Sequence, residues 1–345
     1  VDPLRIGLIG AGENTRRRHI PGFQSQADVD IVCVANRTVA SAQRVAREFG
    51  IPRVYTHWRE VIADSEVDAV CIGTWPYLHA PATCAALAAG KHVLCEARMA
   101  MNCDEARAML AAQQQSDRVA MLVPSPLGLR GDAVMRELIG GGYLGSVREI
   151  YVRGFASTYA DRHAPLHWRQ RGELSGVNIL TLGIVYETVC RWFGQAESVV
   201  AQTALFTPRR VDPESGLLAD VDIPDSVSVL ARMASGAQCV FHLSGAVYHG
   251  GSPRVEAHGS HGTLHYDLAS DAISGASAPE THLAPIDIPP QRAGGWNVEA
   301  DFVAAIREGR PIRFTTFRDG LRYMQFTEAV RRSAATGQRV SLDTV

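Results

Sequence analysis

Between Arg5 and Phe23 the chain reads RIGLIGAGENTRRRHIPGF, and few folds accommodate that order. The apolar run of Ile6, Leu8 and Ile9 predicts a buried strand. Gly10 and Gly12 follow at once, and then a polar, basic segment that can start a helix. A strand running through glycines into a helix N-terminus is a phosphate cradle. The glycines permit a tight turn and a close backbone approach, while the helix's open N–H groups and dipole favour an anion. The third small position of this fingerprint holds Thr15 instead of Gly or Ala. Gly10, Gly12, Glu13, Asn14 and Thr15 are the candidate phosphate contacts; the alternative is an ordinary βα turn of another α/β domain.

The following hundred residues repeat one pattern. Buried strands are predicted over Asp30–Ala35, Ala69–Gly73, His92–Cys95 and Val119–Val123. Helical spacing separates them over Ala40–Phe49 and Leu78–Ala89, and from Asn102, a helix cap with Glu105 placed for a capping box, to about Ser116. Continuous apolar strands alternating with helices predict a doubly wound parallel sheet covered on both faces. Its ligand crevice lies beyond the carboxyl ends of the strands. That crevice gathers the glycine turn, Asn36–Thr38, the segment holding Thr74, Trp75 and His79, and Glu96–Arg98.

The end of the second strand decides the cofactor. A carboxylate there binds the ribose 2′-OH of NAD and repels a 2′-phosphate. This chain carries Asn36, Arg37 and Thr38 instead, and Arg37 can grip a phosphate bidentately. NADP is the expected cofactor and NAD the alternative. Arg16, Arg17 and Arg18 add positive charge near the phosphates, unless they form a solvated helix face.

Length argues for two domains, taken as residues 1–124 and 125–345. A net charge of −2 argues against nucleic acid, and no apolar run is long enough to span a bilayer. VDPLRIG enters a strand directly, so no signal peptide is expected. The seven cysteines are never spaced as C-x-x-C and several lie in apolar runs. They read as reduced core residues of a cytoplasmic protein.

Over nearly its whole length the chain resembles the Gfo/Idh/MocA oxidoreductases. The likeness rests on GAGENTRRRHIPGF, VDAVCIGTWPYLHAPATCAALAAGKHVLCEARMA, WRQRGELSGVNILTLGIVYETVCRWFG and the tail EADFVAAIREGRPIRF…DGLRYMQFTEAVRRSA. It implies a Rossmann domain followed by an α/β domain on an open, mostly antiparallel sheet, through which relatives form dimers or tetramers. The C-terminal helices are expected close to the first domain. It also implies oxidation of a sugar or polyol hydroxyl, or reduction of the ketone, with NAD(P). Glu96 is expected near the nicotinamide ribose. The family's Glu-Lys-Pro, however, is here Glu96-Ala97-Arg98. Its Asp-x-Gly-x-His is Thr181-Leu182-Gly183-Ile184-Val185. The usual proton carriers are therefore replaced. Tyr186 is one substitute, provided a cation such as Arg98 lowers its pKa; Arg98 is equally a candidate substrate anchor, the alternative being a surface ion pair. A redox-assisted glycosidase and a non-catalytic dinucleotide-binding regulator are the alternatives.

In the second half, Ser146–Gly154 predicts the first strand of another sheet. The polar, aromatic stretch Ser157–Gly176 is the leading substrate loop, and offers Tyr159, His163, His167, Trp168 and Arg169. Asn178 and Thr181 stand beside it as further substrate contacts. Trp168-Arg169 matches a pair that family members place near cofactor or substrate. His167 is a second proton-transfer candidate, since its unperturbed pKa lies near neutrality. His163 and His167, four apart, have the spacing of a metal pair, but no third ligand is evident. Alternation over Ser226–Met233, Gln238–Leu243 and Arg254–His258 predicts antiparallel strands. The histidines 258, 261 and 265 are expected on different faces of a hairpin. No metal is expected. Trp296–Glu308 and Asp319–Thr336 are predicted helices.

Overall fold

A computed structural model describes residues 2–124 and 129–345. Two compact units are present. One takes in the chain to residue 125 together with 296–324, and the other takes 126–295 with 325–345. The junction expected at 124–125 touches residues 125–128, which lie outside the described set.

The first unit is built on a parallel sheet. Its strands are β1 (Leu4–Ile9), β2 (Val29–Ala35), β3 (Arg53–Tyr55), β4 (Ala69–Ile72), β5 (His92–Cys95) and β6 (Ala120–Leu122). They run in the order β3-β2-β1-β4-β5-β6. The order reverses between β1 and β4, which opens a crevice at their carboxyl ends. Helices α1 (Ile20–Gln24), α2 (Val39–Phe49), α3 (Trp58–Ala63), α4 (His79–Ala88) and α5 (Cys103–Gln114) lie along the crossovers. Asn102 caps α5 as expected, accepting from Glu105 N. The Glu105 carboxylate reaches back to Met101 N, one residue before the predicted partner.

The second unit contains α6 (Asp132–Gly140), the single turn α7 (Gly172–Ser175), α8 (Leu182–Phe193) and a mixed sheet. Its strands are β7 (Val147–Phe155), β8 (Ala196–Ala204), β11 (Ser226–Met233), β12 (Gln238–Ser244), β13 (Arg254–Gly259), β14 (Gly262–Asp267), β15 (Ala272–Ser277), β16 (Ala284–Ile286) and β17 (Val340–Ser341). A separate ribbon pairs β9 (Arg209–Val211) with β10 (Leu218–Asp220). The sheet order is β16-β15-β14-β13-β7-β12-β11-β8-β17. Every pairing is antiparallel except β7 with β12.

Register assigns the two faces of this sheet. Val229, Phe241, Val152, Val255 and Tyr266 form a buried row. Leu230, Val240, Tyr151, Glu256 and His265 form the row on the open face, where Leu230 and Tyr151 are exposed. His258 pairs with Thr263 and Glu256 with His265, so His258 and His265 share that face. This corrects the expectation of different faces. Seven residues apart on one strand they would diverge, but the hairpin folds the second strand back and directly opposed residues project together.

The chain then returns to the first unit as α9 (Val298–Glu308) and enters α10 (Phe317–Thr336). Val298, Phe302 and Val303 of α9 complete the core formed by β1, β2 and α1. The Phe302 ring meets Phe23 edge-on, with centroids 6.4 Å apart.

Candidate functional site

The crevice of the first unit opens where β1 ends. Gly10 takes φ +84°, and a Cβ there would lie 2.5 Å from Thr74 Cγ2, so the turn requires glycine. Gly12 differs. A Cβ on it would meet nothing closer than the Gly73 carbonyl at 3.7 Å, and the residue is exposed. Packing leaves its Cα bare toward the open crevice. The helix behind begins with a π-helical turn, Thr15–His19, and continues as α1.

Thr15, the departure from the fingerprint, is buried, and its hydroxyl donates to the Gly10 carbonyl at 3.3 Å. Room for it comes from Gly73: a Cβ there would stand 2.0 Å from Thr15 Oγ1. A glycine missing at position 15 is compensated by the glycine at position 73.

The second-strand residues are built in rather than left open. Asn36 Oδ1 accepts from Ala11 N at 2.7 Å and its amide donates to Ser41 Oγ at 3.0 Å. It locks the glycine turn to α2. Thr38 caps α2, accepting from Ser41 N at 3.2 Å. Arg37 is exposed, with its guanidinium 5.2 Å from the Trp75 ring centroid. Glu13 is exposed and paired with Arg17. Arg16 is paired with Glu48, and Arg18 lies over Trp296. These three arginines sit on protein partners and form a solvated helix face.

Around the crevice runs a cavity of about 470 Å³, lined by Gly10, Gly12, Asn36, Arg37, Thr74 and Trp75 among others. Thr74 Oγ1 is buried there without a hydrogen-bond partner among the described residues. An orphaned hydroxyl, a bare glycine Cα and a β2 terminus without a carboxylate fit a dinucleotide.

His79 does not face a ligand. It is buried, with Nδ1 2.8 Å from the Arg98 carbonyl and Nε2 3.0 Å from that of Thr74. It staples two crevice loops together, and burial outweighs the pull of the two carbonyls to hold its pKa below the usual value.

Glu96 stands at the head of a buried charge chain that sequence reading missed. Asn14 Nδ2 donates to Glu96, and His19 Nε2 lies 3.0 Å from the same Oε1. On its other side His19 Nδ1 lies 2.5 Å from Glu299 Oε1, and Trp296 Nε1 donates to Glu299 Oε2 at 2.7 Å. Burial opposes the imidazolium, but the two flanking carboxylates prevail and raise the His19 pKa to about 9. Burial also disfavours ionised Glu96, yet His19 and Asn14 hold its pKa below the ordinary value. His19 and Glu299 lie 280 residues apart, which is why spacing gave no signal.

Ala97 brings no polar side chain to this chain of charges. Arg98 is only 3% exposed, which excludes a surface ion pair.

The predicted substrate residues belong to the second unit. Arg210, buried on β9, donates to the Tyr159, Asp161 and Ala164 carbonyls at 2.7, 2.8 and 3.0 Å. It thereby fixes the first half of the polar loop. Tyr159 is buried, while His163 is exposed and accepts from Arg162 Nε. His167 opens a short turn at Trp168–Gln170, its Nδ1 accepting from Arg169 N at 3.2 Å. Burial and Arg169 lower its pKa. With Nδ1 as acceptor, the neutral ring carries its proton on Nε2. It is suited to donate a hydrogen bond, not to act as a base at that atom. The Arg169 guanidinium lies 4.4 Å from the Trp168 ring centroid. Asn178 is buried and donates to the Ser175 carbonyl; Thr181 is exposed just before α8, one turn from buried Val185.

Tyr186 requires correction as a proton carrier. It is 1% exposed, stacked on Phe326 at 3.7 Å, and its hydroxyl accepts from Ala196 N at 2.9 Å. Burial pushes its pKa up, opposite to the required direction. Helix α8 is apolar around most of its circumference, so its periodicity did not mark a cleft side.

Comparison with known proteins agrees with this architecture. Residues 4–123 match an oxidoreductase family with an NAD-binding Rossmann fold, Gfo/Idh/MocA. Residues 133–265 match the Gfo/Idh/MocA C-terminal domain. Levoglucosan dehydrogenase of Pseudarthrobacter phenanthrenivorans is 26% identical over 384 residues, covering 96% of each chain. The 1,5-anhydro-D-fructose reductase of Ensifer adhaerens is 28% identical over 346 residues, covering 99% of each. A solved structure of levoglucosan dehydrogenase in complex with NADH and L-sorbose superposes with a TM-score of 0.87 at 24% identity, over 98% of each chain. With both units matched and the glycine-turn crevice in place, the chain belongs to the Gfo/Idh/MocA family of oxidoreductases.

Proposed function

We propose that the protein is an NADP-preferring dehydrogenase or reductase acting on a hydroxyl or ketone of a carbohydrate-like or polyol substrate. The observation that carries the reading is the crevice: bare Gly12, orphaned Thr74 hydroxyl and Arg37 at a β2 terminus without a carboxylate. The cofactor, when bound, supplies the hydride acceptor or donor. Gly10, Gly12 and the N–H groups of residues 12–15 cradle its phosphates, and Asn36 keeps the turn in register. Arg37 takes the 2′-phosphate, which supports NADP over NAD. Levoglucosan dehydrogenase and 1,5-anhydro-D-fructose reductase supply the substrate class.

Tyr159, His163, Trp168, Arg169, Asn178 and Thr181 supply or support the substrate side. His167 offers Nε2–H to a substrate oxygen. Glu96 and Arg98 follow β5 at the carboxyl end of the sheet, where such a fold places its ligand. The open face of the sheet, with Tyr151 and Leu230 exposed, is proposed to join copies into a homodimer or homotetramer. None of the seven cysteines is in a disulfide, which supports a cytoplasmic location. No helix among the described residues is long and apolar enough to cross a membrane.

Calorimetric titration with both nucleotides tests the cofactor. NADP is expected to bind more tightly than NAD. Arg37→Ala is expected to weaken NADP by about 10- to 100-fold and NAD little, as loss of a charge-assisted pair. Tighter NAD binding overturns the preference. No uptake of either overturns the function. A screen of sugars and polyols followed at the nicotinamide absorbance identifies the substrate; tight nucleotide binding with no turnover on any of them counts against an enzyme.

A further inference from the structure

Three side chains converge on the open face of β13 and β14. Glu256, His258 and His265 each offer a ligand atom, all within 4.8 Å of one another. Two imidazoles and a carboxylate are a donor set for a zinc-type divalent ion. Their present partners leave ligand atoms available. Arg254 Nε lies 2.8 Å from Glu256 Oε1, while the other oxygen, Oε2, faces His265 Nε2 at 4.0 Å. That nitrogen is buried with no hydrogen-bond partner among the described residues. An imidazole nitrogen hidden from water and unpaired carries an energetic cost that a bound cation removes.

His258 is oriented as a metal ligand is. Its Nδ1 lies 3.0 Å from Thr263 Oγ1. With the proton on Nδ1 shared with that hydroxyl, Nε2 carries the lone pair a metal needs, as with the outer partners of ligating histidines. The residues also stand on rigid elements: Glu256 is directly opposite His265, and His258 opposite Thr263. Zinc bonds of 2.0–2.2 Å place tetrahedral ligand atoms about 3.4 Å apart, against present separations of no more than 4.8 Å.

We propose that Glu256, His258 and His265 bind one divalent transition-metal ion of the zinc class, clamped between β13 and β14. The site is independent of the nucleotide crevice, and nothing in the proposed reaction needs it.

The full chain, stripped of metal by a chelator, is titrated with Zn²⁺ by calorimetry and with Co²⁺ by visible absorption. One ion per chain is expected, with the intense visible bands of low-coordinate Co²⁺. His265→Gln, His258→Gln and Glu256→Gln are each expected to weaken binding by more than about a hundredfold, and Thr263→Val by about tenfold. Zn²⁺ should raise the unfolding temperature of the parent chain and not of the ligand variants. Unfolding of each metal-free variant is measured alongside, so that a misfolded one is not counted. Absence of saturable uptake overturns the proposal, as does uptake unchanged by all three ligand substitutions.

Discussion

His19 is a histidine kept charged inside a protein. Between Glu96 and Glu299 it is fully buried, and its pKa of about 9 exceeds the ordinary 6.5. The folded chain therefore holds a proton that the unfolded chain releases between those values. Stability from this group is complete below about pH 6.5 and falls as pH rises toward 9, by roughly 3 kcal/mol across the window. Glu96 has the opposite sign: its depressed pKa contributes stability above the ordinary carboxylate range, lost as pH falls through the folded value. Urea midpoints measured across this range should decline between pH 6.5 and 9. His19→Ala should remove that decline and cost about 3–5 kcal/mol at neutral pH, because two carboxylates are left facing each other's vacated partner. A flat profile in the parent chain would contradict the charge state.

Elements are held by contacts that reach across the sequence. Gly73 follows β4 against the glycine turn, and a Cβ there would stand 2.0 Å from Thr15 Oγ1 and 2.5 Å from the Gly10 carbonyl. Gly73→Ala is expected to weaken nucleotide binding by at least about tenfold and lower stability by about 1–3 kcal/mol. Adding Thr15→Ala should restore only part, since the backbone contact remains; calorimetry on both variants checks this. In the second unit Arg210 fixes the polar loop through three carbonyls. Arg210→Lys keeps the charge but not the fork, so hydrogen exchange at residues 159–164 should accelerate while β11 and β12 stay protected. What was legible in sequence follows from the same contrast. Ile6, Leu8, Ile9 and the later apolar runs predicted the strands, because burial on both sheet faces leaves a local signature. His79, Asn36 and Glu299 gave no such signal, since their partners are distant in sequence. Tyr186 misled because a helix buried nearly all round has no readable face, and His258 and His265 misled because strand register lies in pairing, not in spacing.

At the scale of the molecule, the first unit is not a continuous piece of chain. Its core needs Val298, Phe302 and Val303 of α9, and its charge chain needs Glu299. A fragment of residues 1–124 should therefore fail to fold cooperatively, bind a hydrophobic dye, and take up no nucleotide. Addition of a peptide spanning 296–324 should restore part of the structure. Cooperative unfolding of the fragment alone, seen by circular dichroism, would show that α9 is dispensable. The family assignment and the sheet topology do not depend on that outcome, because both units are matched independently.

The late arrival of α9 has a consequence for synthesis. At synthesis rates of about 5–20 residues per second, roughly 10 to 35 s separate the emergence of residue 125 from that of residue 296. During that interval the apolar flank awaiting Phe302 is exposed on the nascent chain, beside a histidine with one carboxylate where it needs two. The unit begun first still waits for residues 296–324 after most of the other has been made, so a stalled ribosome would leave this protein with its nucleotide pocket unfinished and that apolar flank uncovered.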